Sequence, residues 1–363
     1  MQSTRIRKFV RITSVIAAAP LLIGLGLTGT GTANAASAPV SATSTATSSA
    51  TSSATSSATT VQATTVQATS ARRSGLPWAS GVYTPGGTPA IYDSFGAWRG
   101  HRIDVAVMWT PRQTWNDMIN PSWLYRTWAG TPVTKVIGLP PIPEGGSSTM
   151  AGCAKGAYDA KWTEFARNIK AAGMDDETII RLGWEFNGDW YKWSAKSPRQ
   201  FAACWRHVVS SAERVAPKLR WDWSVNRGAG QSVTDARKAW PGNRYVDIVG
   251  VDAYDMWPGA TSVAAWNTQL NGKYGLIFWR NFAKAHHKRL SVPEWGVYPG
   301  TSHIGHNGGD NAYYIKKMNS FFKANASMLA YESYFNESAS YYGGSIFGPV
   351  QNPKASVAYR TAF

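Results

Sequence analysis

Short apolar runs alternate along the chain with longer segments in which apolar residues recur every three or four positions. Runs of this length are typical of buried strands, and the longer periodic segments are typical of amphipathic helices. The pattern predicts strands over residues 102–108, 133–139, 178–184, 219–225, 246–254, 290–293 and 327–335. It predicts helices over residues 158–172, 197–215 and 270–286. This alternation favours an α/β fold with parallel strands.

Boundary signals support two of these helices. Gly173 follows the first helical segment, and glycine commonly ends a helix. Ser197 and Pro198 open the second segment, where serine suits the N-cap and proline the first helical position. The first strand of the fold is less well marked, because residues 80–83 and residues 90–92 both fit.

Counting one of these two candidates gives eight strands. Eight βα units in about 290 residues predict a (β/α)₈ TIM barrel. A doubly wound sheet is the alternative, but no glycine-rich phosphate-binding loop follows any predicted strand. In a barrel of this kind the functional residues lie at the carboxyl ends of the strands.

The N-terminus has the pattern of a secretory signal peptide, which we assign to residues 1–35. Basic residues precede an apolar stretch over residues 15–27, and Ala33-Asn34-Ala35 resembles a small-residue cleavage site. The apolar stretch is too short and too rich in glycine for a convincing membrane span. We expect cleavage after Ala35 and a secreted, extracellular protein without a membrane anchor.

Residues 36–73 consist mainly of serine, threonine, alanine, valine and glutamine. Such a composition offers too little apolar surface to offset the entropy of ordering the backbone. We therefore predict a disordered linker here, followed by one folded domain over residues 74–363.

The formal net charge of +16 does not decide the function. Leaving out the six basic residues that precede residue 75 reduces it to about +10 for the folded domain. These basic residues are scattered, and no arginine-rich helix or RNA-binding motif occurs, so we expect no nucleic-acid partner. An acidic polymer or an anionic cell envelope is another interpretation of the charge.

Eighteen tryptophans are an unusual number for a chain of 363 residues. Tryptophan can fill a core, but its indole N–H then needs a partner. The same flat apolar ring is suited to stacking against sugar rings. The composition is compatible with both uses.

The chain contains two cysteines, Cys153 and Cys204. An exported domain favours a disulfide between them, and two free buried thiols are the alternative. A zinc site needs more ligands than this pair, and no histidine lies at a suitable spacing. We expect no metal and no cofactor.

Two glutamates stand at strand ends, where chemistry is expected. Glu185 ends the fourth strand, on which Arg181, Gly183 and Glu185 share one face. Glu294 ends the seventh strand in the same way. A single glutamate at a strand end is usually a solvated loop residue, but two of them, each beside a tryptophan, are a rarer arrangement. Hydrolysis of a glycosidic bond uses such a pair of carboxyl groups.

Further acidic and histidine residues are weaker candidates. Asp252 either lines the cleft or makes a hydrogen bond at a strand end. Glu332 and Glu337 could contact distant sugars, although positions in solvated loops are the simpler expectation. A flexible loop that faces the substrate, in preference to a metal site, is expected for His303, His306 and Asp310.

The segment RLGWEFNGDWYKW, residues 181–193, resembles the acid/base segment of glycoside hydrolase family 26, which contains mannanases. The family pattern R-x-x-H-E-x-N-G-x-W-x-W is matched by Arg181, Glu185, Asn187, Gly188 and Trp190, with Trp193 displaced by one position. Shorter similarities follow at residues 201–209, 221–226, 249–254 and 293–297.

The resemblance implies a retaining (β/α)₈ enzyme in which Glu185 is the acid/base and Glu294 the nucleophile. It also implies that Tyr254 forms a hydrogen bond with Glu294 and that Trp190 helps to form a sugar platform. The residues predicted to bind substrate are Arg181, Trp184, Asn187, Trp190, Tyr254 and Trp295.

Two positions depart from the family pattern. Trp184 replaces the histidine before the acid/base, which in the family helps to hold the sugar in the cleavage subsite. The eighth strand lacks the usual platform tryptophan, and Tyr331, Tyr334 or Phe335 could replace it. Retaining hydrolysis therefore transfers to this chain more directly than specificity for mannan.

The folded domain is accordingly predicted to be the catalytic domain of a secreted, retaining endo-β-glycanase. Its expected partner is a polysaccharide substrate, β-mannan or a related β-linked polymer, and the protein is expected to be a monomer. The alternative is a catalytically silent (β/α)₈ barrel that binds glycans without cleaving them.

Overall fold

The structure is a computed structural model that describes residues 72–300 and 305–363. In this part of the chain eight parallel strands close a barrel in sequential order, with the last strand paired to the first. The predicted (β/α)₈ TIM barrel is confirmed. The strands are β1 (Ala79–Tyr83), β2 (Val105–Trp109), β3 (Thr134–Leu139), β4 (Thr178–Leu182), β5 (Arg220–Asn226), β6 (Ile248–Tyr254), β7 (Arg289–Gly296) and β8 (Leu329–Phe335).

Helices surround the barrel, and Ser197 and Pro198 open one of them as predicted. Of the two candidates for the first strand, residues 80–83 are correct, and residues 90–92 lie in a helix. The described helices are α1 (Pro89–Arg99), α2 (Trp115–Ile119), α3 (Ser122–Trp128), α4 (Met150–Ala154), α5 (Asp159–Ala171), α6 (Pro198–Glu213), α7 (Val263–Asn271), α8 (Leu276–Ala285), α9 (Ala312–Ala324) and α10 (Pro353–Ala362), with 3₁₀ turns at Ala236–Ala239 and Asn243–Tyr245.

The single helix predicted over residues 270–286 is wrong, because a turn separates α7 from α8. Tyr274 has a left-handed φ of 58°, and the amide of Gly275 donates to the Gly272 carbonyl over 2.9 Å. A Cβ on Gly275 would lie 2.6 Å from the carbonyl oxygen of Gln269, so the turn requires glycine there. Apolar residues continue on both sides of the turn, which is why their spacing does not reveal it.

The barrel interior changes from apolar to polar along its axis. Asp222 of β5 lies in the polar part and accepts hydrogen bonds from Ser291 at 2.6 Å and Tyr331 at 2.5 Å. Its other oxygen accepts from Ser224 at 2.9 Å, and Ser224 in turn accepts from Arg181 at 3.3 Å. Asp222 is therefore structural and supports Ser224, which contacts Arg181. The apolar cluster near the amino ends of the strands comprises Val105, Val107, Val136, Ile179, Ile248 and Tyr331.

A buried carboxyl group, Glu332 of β8, lies on the outer side of the barrel wall. Its side chain is 0% exposed and accepts hydrogen bonds from the indoles of Trp295 at 2.6 Å and Trp78 at 3.4 Å. The expectation of a solvated loop position for Glu332 is wrong, because the residue is in a strand and strand alternation turns it into the core. Burial raises its pKa to about 7, although neighbouring hydrogen bonds and Arg99 lower it in part.

Ionisation of Glu332 is expected to make stability depend on pH. Because its pKa is about 7 in the folded protein and 4.5 ordinarily, stability is lost as the pH rises through this interval. Glu332→Gln, which keeps an acceptor for Trp295, should reduce this loss by on the order of 3 kcal/mol at most. Thermal unfolding of both proteins at pH 5 and pH 8 measures the effect. Equal changes in Tm for the two proteins would contradict it.

Cys153 of α4 and Cys204 of α6 form a disulfide, with their Cα atoms 4.8 Å apart. Both residues are buried. The predicted disulfide is therefore confirmed, and it ties the loop after β3 to the helix after β4.

The disulfide should contribute to stability because it closes a loop with a sequence separation of 51 residues. Cross-linking reduces the conformational entropy of the unfolded chain, so replacing both cysteines with alanine should lower the free energy of unfolding by about 3 kcal/mol. Urea unfolding of the double variant, compared with the oxidised and the reduced parent, measures this. The prediction is wrong if the variant unfolds at the same urea concentration as the oxidised parent.

The predicted signal peptide, residues 1–35, lies outside the described residues, as does the predicted linker, residues 36–73, apart from its last two residues. The described strands and helices all lie within residues 74–363. Among the described residues no helix is long and apolar enough to cross a membrane.

Candidate active site

Side chains from three strands meet around Arg181 of β4 at the carboxyl end of the barrel. Arg181 is fully buried, and its terminal nitrogens donate to Glu294 Oε1 and to Asp252 Oδ2, each over 2.6 Å. One guanidinium therefore pairs with two carboxyl groups that come from β7 and β6. Buried charges are tolerated when they are paired and hydrogen-bonded in this way.

Glu294 lies within β7 and is 4% exposed. Oε1 accepts the hydrogen bond from Arg181, and Oε2 accepts one from the hydroxyl group of Tyr254 at 2.6 Å. The expected contact between Tyr254 and Glu294 is thus present. Both carboxylate oxygens of Glu294 are therefore held by donors, one from β4 and one from β6.

Glu185 reaches the site from a turn directly after β4. Gly183 and Glu185 both have left-handed backbones, with φ of 55° and 50°. For a non-glycine residue this conformation costs about 1–3 kcal/mol, and such strained residues cluster at functional sites. The amide of Glu185 holds the turn by donating to the Ser224 carbonyl of β5 over 3.1 Å. The strand predicted to residue 184 therefore ends two residues earlier than expected.

The environment of Glu185 favours the protonated form. Glu185 is 2% exposed, and its carboxyl group accepts a hydrogen bond from Asn226 Nδ2 at 3.0 Å. Burial and the negative charge of Glu294 raise the pKa of Glu185 to about 8, and Arg181 offsets part of this shift. The Trp190 indole lies near the same carboxyl group without a hydrogen bond of normal geometry. Glu185 therefore holds its proton at neutral pH.

Asn187 supports this arrangement indirectly. Its side-chain amide donates to the Asn226 carbonyl and accepts from the Asn226 amide, each over 2.8 Å. Asn187 is 1% exposed, so both of its polar atoms are used inside the protein. The prediction that it binds substrate is not supported, because Asn187 positions Asn226, which in turn contacts Glu185.

Two of the three tryptophans predicted to bind substrate are buried in the protein. Trp184 is 2% exposed, donates from its indole to Tyr191 at 3.1 Å and packs against Trp193 with ring centroids 4.8 Å apart. Trp295 is 0% exposed and donates to Glu332 on the outer side of the barrel. Their predicted contacts with substrate are corrected accordingly. Trp190 is partly exposed and lies near Glu185, and its contact with substrate stays a prediction.

The remaining candidates have separate places. Asp252 has the second of its two expected roles, since it is buried near the end of β6 and accepts a hydrogen bond from Arg181. Asp310 accepts hydrogen bonds from two amides at the start of α10. His303 lies outside the described residues, and His306 stacks against Trp257. The described residues hold no group of three or more potential metal ligands.

Two aromatic residues at other strand ends, Tyr83 and Trp109, were not identified as site residues from the sequence. Tyr83 of β1 stacks on Phe335 of β8 with centroids 4.7 Å apart, and Trp109 of β2 meets the Tyr83 ring edge to face at 4.7 Å. The hydroxyl of Tyr83 donates to Glu337 at 3.3 Å. Each of these residues ends or follows a strand, and this position could have identified them as candidates from the sequence. Asn226, at the end of β5, was missed in the same way.

Of the three residues proposed to replace the platform tryptophan, Phe335 has the suitable place. It is 8% exposed and packs against Tyr83 and Trp109. Tyr331 lies deeper in the barrel beside Asp222, and Tyr334 is fully buried on the outer side. Strand alternation explains this division, because Tyr331 and Phe335 share a face that Tyr334 does not.

The geometry brings together two buried carboxyl groups in opposite electrostatic environments. Burial and the charge of Glu294 raise the pKa of Glu185 to about 8, whereas Glu294 is paired with a cation and accepts two hydrogen bonds. A pair in which one group is an acid and the other a carboxylate is the arrangement used to cleave glycosidic bonds. Fold and site together therefore define the class of (β/α)₈ barrels with a glycosidase-like pair of carboxyl groups.

Comparison with known proteins agrees with this class. The sequence model of glycosyl hydrolase family 26 matches residues 158–287. This segment contains Glu185, Asn226 and Tyr254, whereas Glu294 lies beyond its end. The resemblance to glycoside hydrolase family 26 predicted from the sequence is confirmed over this part of the chain.

Two curated relatives are similar to the chain over short segments. Endoglucanase H of Acetivibrio thermocellus is 31% identical over 121 residues, which are 31% of this chain and 13% of the relative. The mannan endo-1,4-beta-mannosidase of Bifidobacterium adolescentis is 26% identical over 119 residues, which are 31% of this chain and 12% of the relative. The similarity thus spans about an eighth of the length of each relative.

Solved structures share the fold. The structure of a modular endo-beta-1,4-mannanase from Cellulomonas fimi has a TM-score of 0.55 at 17% identity, over 78% of this chain and 69% of that chain. GH26C from Muricauda has a TM-score of 0.56 at 16% identity, over 78% of this chain and 84% of that chain. At such low identity these similarities support the barrel fold alone.

Proposed function

We propose that this protein is a secreted, retaining endo-β-glycanase that hydrolyses a β-linked polysaccharide. The observation that carries the proposal is the contrast between Glu185, whose pKa is raised to about 8, and Glu294, which is paired with Arg181 and Tyr254. In this reaction one carboxyl group must give a proton to the leaving oxygen while the other attacks the anomeric carbon. The two environments suit these two tasks.

In the first step Glu294 attacks the anomeric carbon, and the glycosidic C–O bond breaks. Glu185 gives its proton to the leaving oxygen, which departs as a sugar hydroxyl, and the remaining sugar forms an ester with Glu294. In the second step Glu185, now a carboxylate, takes a proton from water. The resulting hydroxide equivalent attacks the anomeric carbon, breaks the ester and restores both groups.

Neighbouring residues adjust the two carboxyl groups in this scheme. Arg181 and Tyr254 hold Glu294 through one hydrogen bond to each oxygen, which fixes the direction of its lone pairs. Asn226 holds Glu185 at 3.0 Å. Groups locked in this way need little reorganisation when the reaction begins. We assign these three residues positioning roles.

The proposed substrate is β-mannan or a related β-1,4-linked polymer. The names of the two curated relatives include an endoglucanase and a mannan endo-1,4-beta-mannosidase. In this chain the position before the acid/base is the buried Trp184, whose indole is hydrogen-bonded to Tyr191. A different sugar selectivity in the cleavage subsite is expected from this change, because a buried indole cannot offer the polar contacts of a histidine. Secretion and action as a monomer are part of the same proposal.

A screen of defined polysaccharides tests the proposal. The parent protein and Glu294→Gln are incubated with β-mannan, glucomannan, xylan and mixed-linkage glucan, and products are separated by size. We expect the parent to release oligosaccharides from at least one polymer with initial retention of anomeric configuration, as seen by proton NMR. Binding without any cleavage would instead support the catalytically silent, glycan-binding barrel. Products with inverted anomeric configuration would show that the reaction does not pass through a covalent glycosyl-enzyme.

A further inference from the structure

Trp257 is a bulky aromatic residue that the hydrophobic core does not use. It lies in the loop between β6 and α7, and 46% of it is exposed, more than any other tryptophan described. It belongs neither to the main core cluster nor to the small cluster inside the barrel. Exposed aromatic surface of this kind is uncommon and often marks a place where a ligand or partner binds.

The backbone around Trp257 is held in an unusual shape. Trp257 has a left-handed φ of 54°, which is a costly conformation for a tryptophan. Its amide donates to the His306 carbonyl over 2.8 Å, and Met256 forms an antiparallel bridge with Asn307. The loop after β6 is thus joined by main-chain contacts to residues in the loop after β7.

The partly buried Arg227 and the buried Asp255 hold the same loop through hydrogen bonds. Arg227 donates to the carbonyls of Tyr254 and Met256, which precede Trp257 in the loop. One carboxylate oxygen of Asp255 accepts from the amide of Ala260, which follows Trp257 in the loop, at 2.6 Å. The other oxygen of Asp255 accepts from Asn311 at 2.7 Å. These contacts hold the backbone on both sides of residue 257, so the loop that carries the exposed ring is fixed in place.

The indole itself is also oriented. The imidazole of His306 stacks against it with ring centroids 3.8 Å apart and planes 18° from parallel. A ring that is already ordered loses little conformational entropy when a ligand stacks on it. Exposure, a rigid loop and a stacked support together describe a preorganised aromatic platform.

We propose that Trp257, supported by His306, is a stacking platform for a β-linked hexopyranose unit of the polysaccharide, away from the bond that is cleaved. The apolar C–H face of a pyranose ring matches a flat indole in shape and hydrophobicity. Trp257 lies in the loop that leaves the carboxyl end of β6, and Tyr254, the last residue of β6, contacts Glu294, so the platform and the carboxyl pair lie at the same end of the barrel. This inference rests on the proposed function and adds a binding site to it.

The experiment separates polymer binding from bond cleavage. Glucomannan, which contains both β-1,4-linked mannose and glucose, serves as the polymer, and an aryl β-mannoside with one sugar unit serves as the short substrate. Trp257→Ala and Trp257→Phe are compared with the parent. Trp123→Ala is the matched control, because Trp123 is 37% exposed on α3, outside the loops that carry the platform. Tm values confirm that each variant is folded.

We expect Trp257→Ala to raise the KM for glucomannan by about 3- to 10-fold, the effect of losing one aromatic contact. The kcat for glucomannan and the kcat/KM for the aryl substrate should change by less than twofold, and Trp257→Phe should recover part of the loss. Migration in gels that contain glucomannan should be retarded less for Trp257→Ala than for the parent.

The possible failures are distinguishable. If the parent cleaves glucomannan and Trp257→Ala has the same KM, product pattern and gel retardation as Trp123→Ala, the platform is refuted and the hydrolase remains. If Trp257→Ala reduces turnover of the aryl substrate as strongly as that of the polymer, the residue acts at the cleavage site and the platform assignment is wrong. If the parent neither binds nor cleaves any of the polysaccharides in the screen, the proposed function fails, and the platform with it.

Discussion

Glu294→Gln is expected to reduce kcat by about 10⁴-fold or more on every substrate, because removal of a nucleophile eliminates the covalent step. Gln keeps the size of Glu and can still accept from Arg181, which remains paired with Asp252. The fold should therefore survive, and circular dichroism and Tm check this. Initial rates on glucomannan and on an aryl β-mannoside measure the loss.

The matched control for this variant is Glu332→Gln. Glu332 is also a buried glutamate of the barrel wall, but it lies on the outer side, against Trp78 and Trp295. Its substitution should leave turnover at pH 6 within about twofold of the parent, because it changes no group in the site. A 2-fluoro glycosyl fluoride should label the parent on Glu294, as seen by peptide mass spectrometry. Labelling of another residue, or substantial activity in Glu294→Gln, would reject Glu294 as the nucleophile.

Glu185→Ala has the second largest expected effect, and the effect depends on the leaving group. Cleavage of polysaccharide should fall by about 10²- to 10⁴-fold, the usual contribution of general acid catalysis. Formation of the glycosyl-enzyme from a dinitrophenyl β-mannoside should be much less affected, because this leaving group departs without a proton. Pre-steady-state release of dinitrophenol separates this step from the slow hydrolysis that follows.

The pH profile supplies a second test of Glu185. As its pKa is raised to about 8 by burial and by Glu294, the acid form persists through neutral pH. The value of kcat/KM on polysaccharide should fall as the pH rises through about 8, since Glu185 then loses the proton that the leaving oxygen needs. Glu185→Ala should lack this alkaline limb. If kcat/KM of the variant decreases at the same alkaline pH as that of the parent, the titrating group is not Glu185.

Most of the architecture could be predicted from the chain because it depends on local patterns. Short apolar runs alternating with periodic segments identified the barrel. The positions of Glu185 and Glu294 at the ends of predicted strands placed them at its functional end. The same alternation that turns Glu294 inward turns Trp295 outward, so the assignment of Trp295 to the cleft could have been avoided. Adjacency in sequence to a site residue was not a guide to adjacency in space.

Contacts between distant residues could not be predicted in this way. Arg181 meets Glu294 across 113 residues, and Asn226 meets Glu185 across 41. Which side chain fills each position depends on how strands of different length and register close around one axis. The burial of Trp184, the role of Asn187 in holding Asn226, and the stacking of Trp257 on His306 all follow from that closure.

Glu185 and Glu294 illustrate the difference between what local sequence patterns determine and what long-range contacts determine. The sequence by itself predicted that both stand at the carboxyl ends of strands, since strand period and chain order are local properties, although Glu185 lies in a turn just beyond β4. Only the tertiary structure decided their different surroundings. The pKa of Glu185 depends on burial and on the charge of Glu294, while Glu294 is held by Arg181 and Tyr254. Electrostatic environment is the sum of contributions from several strands, and it exists only once the barrel has closed.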